Sequence, residues 1–91
     1  MTQAEQHIAE LLKAHKPDEA IAAATEALSQ QPESDMLYYL RGNAYRKKGD
    51  WQGAISNYLE AIELNPDSPA KNAYEIANDI LDFFNKDMYN Q

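Results

Sequence analysis

Apolar residues recur at threes and fours along most of this chain, the period of a helix that buries one face, and the pattern breaks at four places. Thr2 and Glu5 have the spacing of a capping box, and Ile8, Leu11 and Leu12 then form a narrow stripe on a helix predicted to run to about Ala14. Pro17 suits the first turn of the next helix, and Asp18 and Glu19 suit its positive end. That helix runs through about Ser29, buries Ala20, Ile21, Ala24, Ala27 and Leu28, and is stopped by Pro32. Ser34 caps a third helix that ends at Gly49, and Asp50 caps a fourth from Trp51 to about Leu64. Asp67, Ser68 and Pro69 read as a cap followed by proline at the first helical position. Ala73, Ile76, Ala77, Ile80, Leu81, Phe84 and Met88 then recur at helical spacing in a fifth segment, Pro69 to about Lys86. Of these, Ile76, Ile80, Leu81 and Phe84 are expected to pack on the fourth helix and the inner side of the third.

The chain also repeats itself. A shift of 34 positions pairs Lys13 with Lys47, Ala20 with Ala54, Ile21 with Ile55, Glu26 with Glu60, Ala27 with Ala61 and Pro32 with Pro66. Leu11 falls under Tyr45 and Leu28 under Ile62. The first helix is degenerate: Ala4, Ile8 and Ala24 stand where Tyr38, Gly42 and Tyr58 stand in the second copy. Gly42 and Ala54 are small, which allows two antiparallel helices to approach closely while Tyr45 and Tyr58 fill the space beside them. An aromatic, a glycine, tyrosine three residues on, Ala54 and Tyr58 four apart, and a closing Pro66 resemble the tetratricopeptide family, whose repeat is about 34 residues. Arg41 departs from the pattern at a position the family usually gives to leucine.

That resemblance implies an all-α, right-handed α-solenoid fragment in a single domain spanning 1–91. Its parts are a degenerate repeat over about 1–34, a clear repeat over about 35–68 and a capping helix over about 69–88. It further implies a concave groove lined by the first helix of each repeat. Carried over residue by residue, the groove positions are Thr2, Glu5, Ala9 and Leu12 in the first repeat. In the second they are Met36, Tyr39, Asn43 and Arg46, with Lys47 beside them, and in the capping helix Ala70, Ala73, Ala77 and Ile80. Some family members grip a C-terminal carboxylate with a clamp of lysines, asparagines and an arginine. Only Asn43 matches that clamp here, because Tyr39 stands where its first lysine would be.

Composition narrows the function. The 91 residues are 44% hydrophobic and 25% charged, ordinary for a globular chain, and include no cysteine, so disulfide and thiolate chemistry are excluded. The N-terminus lacks a basic segment followed by an apolar run, and no stretch approaches the ~20 apolar residues that span a bilayer, so a cytoplasmic location is expected. A net charge of −7 disfavours phosphate backbones and anionic membranes, leaving a protein or peptide as the expected partner. His7 and His15 have no third ligand to complete a zinc site, the carboxylates are dispersed, and the three glycines lack phosphate-loop spacing. No enzyme activity, metal or cofactor is expected.

Half of the eight basic residues, Arg41, Arg46, Lys47 and Lys48, fall in the third helix. Arg41 reads as solvated and Lys48 as a complement to the negative helix end. Arg46 and Lys47 fit that role equally well or a cationic site for an acidic segment, with Asn43 as hydrogen-bonding partner. Tyr38, Tyr45 and Tyr58 are expected in the core and Tyr39 on the groove. Phe83, Phe84, Met88 and Tyr89 exceed what one helix face hides, so they either cover the groove or form a homodimer contact. The leading expectation is a non-enzymatic protein- or peptide-binding module; the alternative is a self-association module.

Overall fold

A computed structural model describes the backbone through Tyr89 and the side chains through Phe84, as the helices α1 (Gln3–Lys13), α2 (Pro17–Gln30), α3 (Asp35–Lys47), α4 (Trp51–Leu64) and α5 (Ala70–Tyr89). Each start follows the local chemistry expected of it. Thr2 Oγ1 accepts from the Glu5 N–H at 3.2 Å while Glu5 Oε1 accepts from the Thr2 N–H at 3.3 Å, closing the capping box. Ser34 accepts from the Leu37 N–H, Asp50 from the Gly53 N–H, and Ser68 from the Ala70 N–H. Pro17 opens α2 without a side-chain cap.

The ends of α1 and α3 share one device. After α3 the Asp50 N–H reaches the Tyr45 carbonyl and the Gly49 N–H the Arg46 carbonyl, both at 2.9 Å, with Gly49 left-handed at φ +82°. After α1 the Lys16 and His15 N–H groups bond the Leu11 and Leu12 carbonyls in the same way, but the left-handed residue is His15, at φ +59°. A histidine there carries a steric cost that glycine avoids.

Two apolar clusters lie on either side of α3. Ile8, Leu12, Ala20, Ala24, Leu28, Leu37, Leu40 and Ala44 join α1, α2 and one face of α3. Ala54, Tyr58, Ala61, Ala70 and Ala77 join α4 and α5, with Tyr38, Tyr39 and Tyr45 of α3 packed against them. Ile8, Leu37 and Tyr58 are almost wholly buried, a contribution of about 1.5–3 kcal/mol for each such side chain. The close contact of α3 with α4 is where the small residues placed it: a Cβ on Gly42 would lie 2.6 Å from Tyr58 Cε1 and 3.2 Å from the Ala54 carbonyl oxygen. Tyr38 and Tyr45 are half-buried at the margin of this cluster, not within it.

The degeneracy of α1 has a physical sense. Leu37, Leu40 and Ala44 are the residues α3 presents to the preceding helical pair, and one period earlier stand Gln3, Gln6 and Glu10, all exposed. Extents of 47 × 28 × 18 Å and a radius of gyration of 13.5 Å, against about 12 Å for a compact domain of this length, describe an elongated row of helices.

Besides the placement of Tyr38 and Tyr45, three expectations need correction. α5 does not bury its large residues: Ile76 is 46% and Phe84 70% exposed, Ile80 and Leu81 are half-buried, and the contact with α4 is made by the buried Ala70 and Ala77 with Ala73 and Tyr74 beside them. Alanines let α5 lie close on α4, which a row of isoleucines would prevent. Arg41 is not merely solvated. Its Nε donates to Asn57 Oδ1 at 2.7 Å and its Nη1 to Thr25 Oγ1 at 3.1 Å, while the guanidinium lies 5.3 Å from the centre of the Tyr38 ring. It thus ties α2 and α4 to α3. Lys48 does more than complement a helix end: its Nζ is 2.6 Å from Asp18 on α2, and that hydrogen bond raises the ammonium above its ordinary pKa.

Candidate functional site

The face of α3 that carries Met36, Tyr39, Asn43 and Arg46 follows from helix geometry, since steps of three and four residues return to one side. All four side chains are half-buried, and Lys47 beside them is exposed. Tyr39 packs against both apolar clusters, so it forms the floor where the two helical pairs meet. Its ring lies 6.1 Å from that of Tyr58, inclined at 38°.

The Tyr58 hydroxyl, on a fully buried residue, donates to Asn43 Oδ1 of this face at 2.6 Å. Burial pushes that phenol up to about 12, with the nearby Arg46 guanidinium pulling the other way. The hydroxyl therefore stays protonated at neutral pH and holds the Asn43 carboxamide by its oxygen. No described residue accepts a hydrogen bond from Asn43 Nδ2, which leaves two donors toward the open face. Neither Arg46 nor Lys47 is in an ion pair among the described residues. Both lie in the last turn of α3, so they also complement its negative end. Two amide donors beside two cations suit a carboxylate or a peptide carbonyl. They offer neither a nucleophile nor an acid–base pair. Among the described residues no group of three His, Asp or Glu side chains comes together to hold a metal ion. No helix is long and apolar enough to cross a membrane among those residues.

With this geometry in view, comparison with known sequences is decisive: the profile of the tetratricopeptide repeat matches residues 7–69. The chain belongs to the tetratricopeptide repeat family. The solution NMR structure of protein BF1650 of Bacteroides fragilis is 53% identical, with a TM-score of 0.88 over 100% of this chain and 92% of that one. Two curated relatives match over part of this chain. A probable biofilm formation methyltransferase, WspC, of Pseudomonas putida is 37% identical over 62 residues, and superkiller complex protein 3 of mouse is 35% identical over 57. This chain spans only 15% of the first and 4% of the second. Tetratricopeptide repeats mediate protein–protein interaction as a class.

The tetratricopeptide positions expected to line a groove are not equally available. Met36, Tyr39, Asn43, Arg46 and Lys47 share one accessible face, and Ala9, Ala73 and Ile80 are half-buried. Leu12 and Ala77 are core residues and offer a ligand no surface. Glu5 is 8% exposed, with its carboxylate spent on the capping box, and Ala70 is fully buried. The register explains the last helix. A 34-residue shift aligns Ala70 and Ala77 with Met36 and Asn43, but α5 turns that side into α4 instead of the open face. Sequence reasoning missed the Tyr58 hydroxyl because it treated the ring as filler. The signal was present: Asn43 and Tyr58 are nearly equidistant from the turn at Gly49 and Asp50, where an antiparallel pair of helices brings residues together.

Proposed function

We propose that this chain is a non-enzymatic binding module that takes a protein or peptide segment carrying a carboxylate or an acidic stretch across the face of α3. The observation that carries this reading is a half-buried Arg46 that has no ion pair among the described residues, next to amide donors of Asn43 that none of those residues engages, in a chain of net charge −7. Lys47 extends the cationic end, and Tyr39 and Met36 supply apolar contact. Domain organisation follows the same reading, with two repeats closed by α5 as one unit. A charged partner gains orientation and association rate from such a face more than raw affinity.

Selection from a displayed peptide library tests the proposal. Wild-type protein is expected to enrich peptides of net negative charge, and a Tyr39→Ala, Arg46→Ala double variant with unchanged circular dichroism is expected to enrich none of them. Failure of the wild-type protein to enrich acidic peptides, or identical acidic selections by both proteins, overturns it. Self-association is the second reading, favoured by Phe83 and Phe84, exposed at 74% and 70%. Met88 and Tyr89, the other two residues of that expected contact, have side chains outside the described residues. A mass that rises with concentration supports self-association over peptide binding.

A further inference from the structure

On α5, Ile76, Ile80 and Phe83 follow one another at i, i+4 and i+7 and so share a face. Ala70 and Ala77 flank that row on its buried side. On its other side, one residue earlier at each step, run Glu75, Asp79 and Asp82, all three exposed and in no ion pair among the described residues. Ile76 and Phe83 are exposed and Ile80 half so, and the Phe83 ring meets the Phe84 edge at a centroid distance of 5.6 Å. Apolar groups of this size on an open face mark an interaction surface more often than a neutral one.

We propose that this flank of α5 is a second docking surface, distinct from the α3 face, for a partner helix that sets an apolar stripe on Ile76, Ile80 and Phe83 and a basic edge on Glu75, Asp79 and Asp82. Charge decides the occupant. A second copy laid antiparallel on the same face brings the two rows of carboxylates together along one edge, in a chain already at −7. A second copy stacked end to end would offer the polar outer face of α1, Gln3, Gln6 and Glu10, which gives the isoleucines and phenylalanine nothing to pack on. An anionic membrane surface repels the carboxylate row, and amphipathic membrane helices carry lysine or arginine in that place. A basic amphipathic helix satisfies both rows at once, by the helix-against-helix mode of recognition.

The test uses two fluorescently labelled synthetic helices with the same leucine stripe, one flanked by lysines and one by glutamates, read by anisotropy against the full chain. The lysine peptide is expected to bind at least about tenfold more tightly than the glutamate peptide. Ile76→Ser with Phe83→Ser is expected to weaken it by about tenfold or more, and so is the triple change Glu75→Gln, Asp79→Asn, Asp82→Asn. All of these positions are exposed, so circular dichroism should stay native. Arg46→Ala is expected to leave this binding unchanged, which separates it from the α3 face. Equal affinity for the two peptides, binding that survives the serine variant, or binding lost through Arg46→Ala overturns the proposal. So does a sedimentation profile in which the chain dimerises through Phe83 and excludes the lysine peptide.

Discussion

At the scale of single residues, Tyr58 links core and site. Its ring fills the space that Gly42 leaves, and its hydroxyl fixes Asn43. Because burial raises this phenol from 10.0 to about 12, the folded state favours the neutral form. Its contribution is fully present below pH 10 and is lost as pH rises through about 12. Stability should therefore fall between those limits, and phenolate absorbance should show a late-ionising tyrosine that Tyr58→Phe removes. A titration without that late step contradicts the assignment. His15 supplies an independent test. A non-glycine left-handed residue costs roughly 1–2 kcal/mol, and glycine returns roughly 0.5–1 kcal/mol of that in lost unfolded-state freedom. His15→Gly should thus stabilise by up to about 1 kcal/mol in urea unfolding, while Gly49→Ala, at φ +82°, should destabilise. The sequence alone exposed the role of Gly42, whose smallness is read directly from its neighbours one helix away. Arg41 was not legible, because both its partners, Thr25 and Asn57, lie sixteen positions distant on different helices.

At the scale of elements, the helix starts were legible because capping is local: Thr2 and Glu5, Ser34, Asp50 and Ser68 each act within a few residues. The α3–α4 contact was legible too, since small residues opposite aromatic ones leave a clear spacing. Ala54 is fully buried there, and Ala54→Leu should cost roughly 1–3 kcal/mol through overpacking. An unchanged melting midpoint would mean the helices yield at that point. The buried side of α5 was not legible. Its apolar residues cover more than half of the helix surface, and periodicity cannot rank three alanines above isoleucine and phenylalanine. Only the fit to α4 makes that choice. Truncation after Asp67 still removes the cover from Tyr58 and Ala61, both wholly buried in the full chain. The shortened chain should melt far lower and over a broad range, because two repeats fall short of the three usually needed. A sharp, near-native melt by circular dichroism would show that α5 contributes little to folding.

At the scale of the whole molecule, an acidic row of helices carries one cationic stretch on α3 and one uncovered apolar flank on α5. The groove as a list of helix positions was legible from the repeat. Its real extent was not, because Leu12, Ala70 and Ala77 are claimed by the core and Glu5 by its own helix end. What remains is a short face from Met36 to Lys47, and the account stands on its charge. The most direct measurement is the affinity of one labelled acidic peptide at rising salt, with its basic counterpart alongside. Screening shortens electrostatic reach from about 10 Å at 0.1 M to about 3 Å at 1 M. In the Ile76→Ser, Phe83→Ser chain, which lacks the α5 flank, the acidic peptide should bind more tightly than the basic one, weaken steadily as salt rises, and lose that dependence in Arg46→Ala. Affinity indifferent to salt, or tighter binding of the basic peptide at the α3 face, contradicts the account.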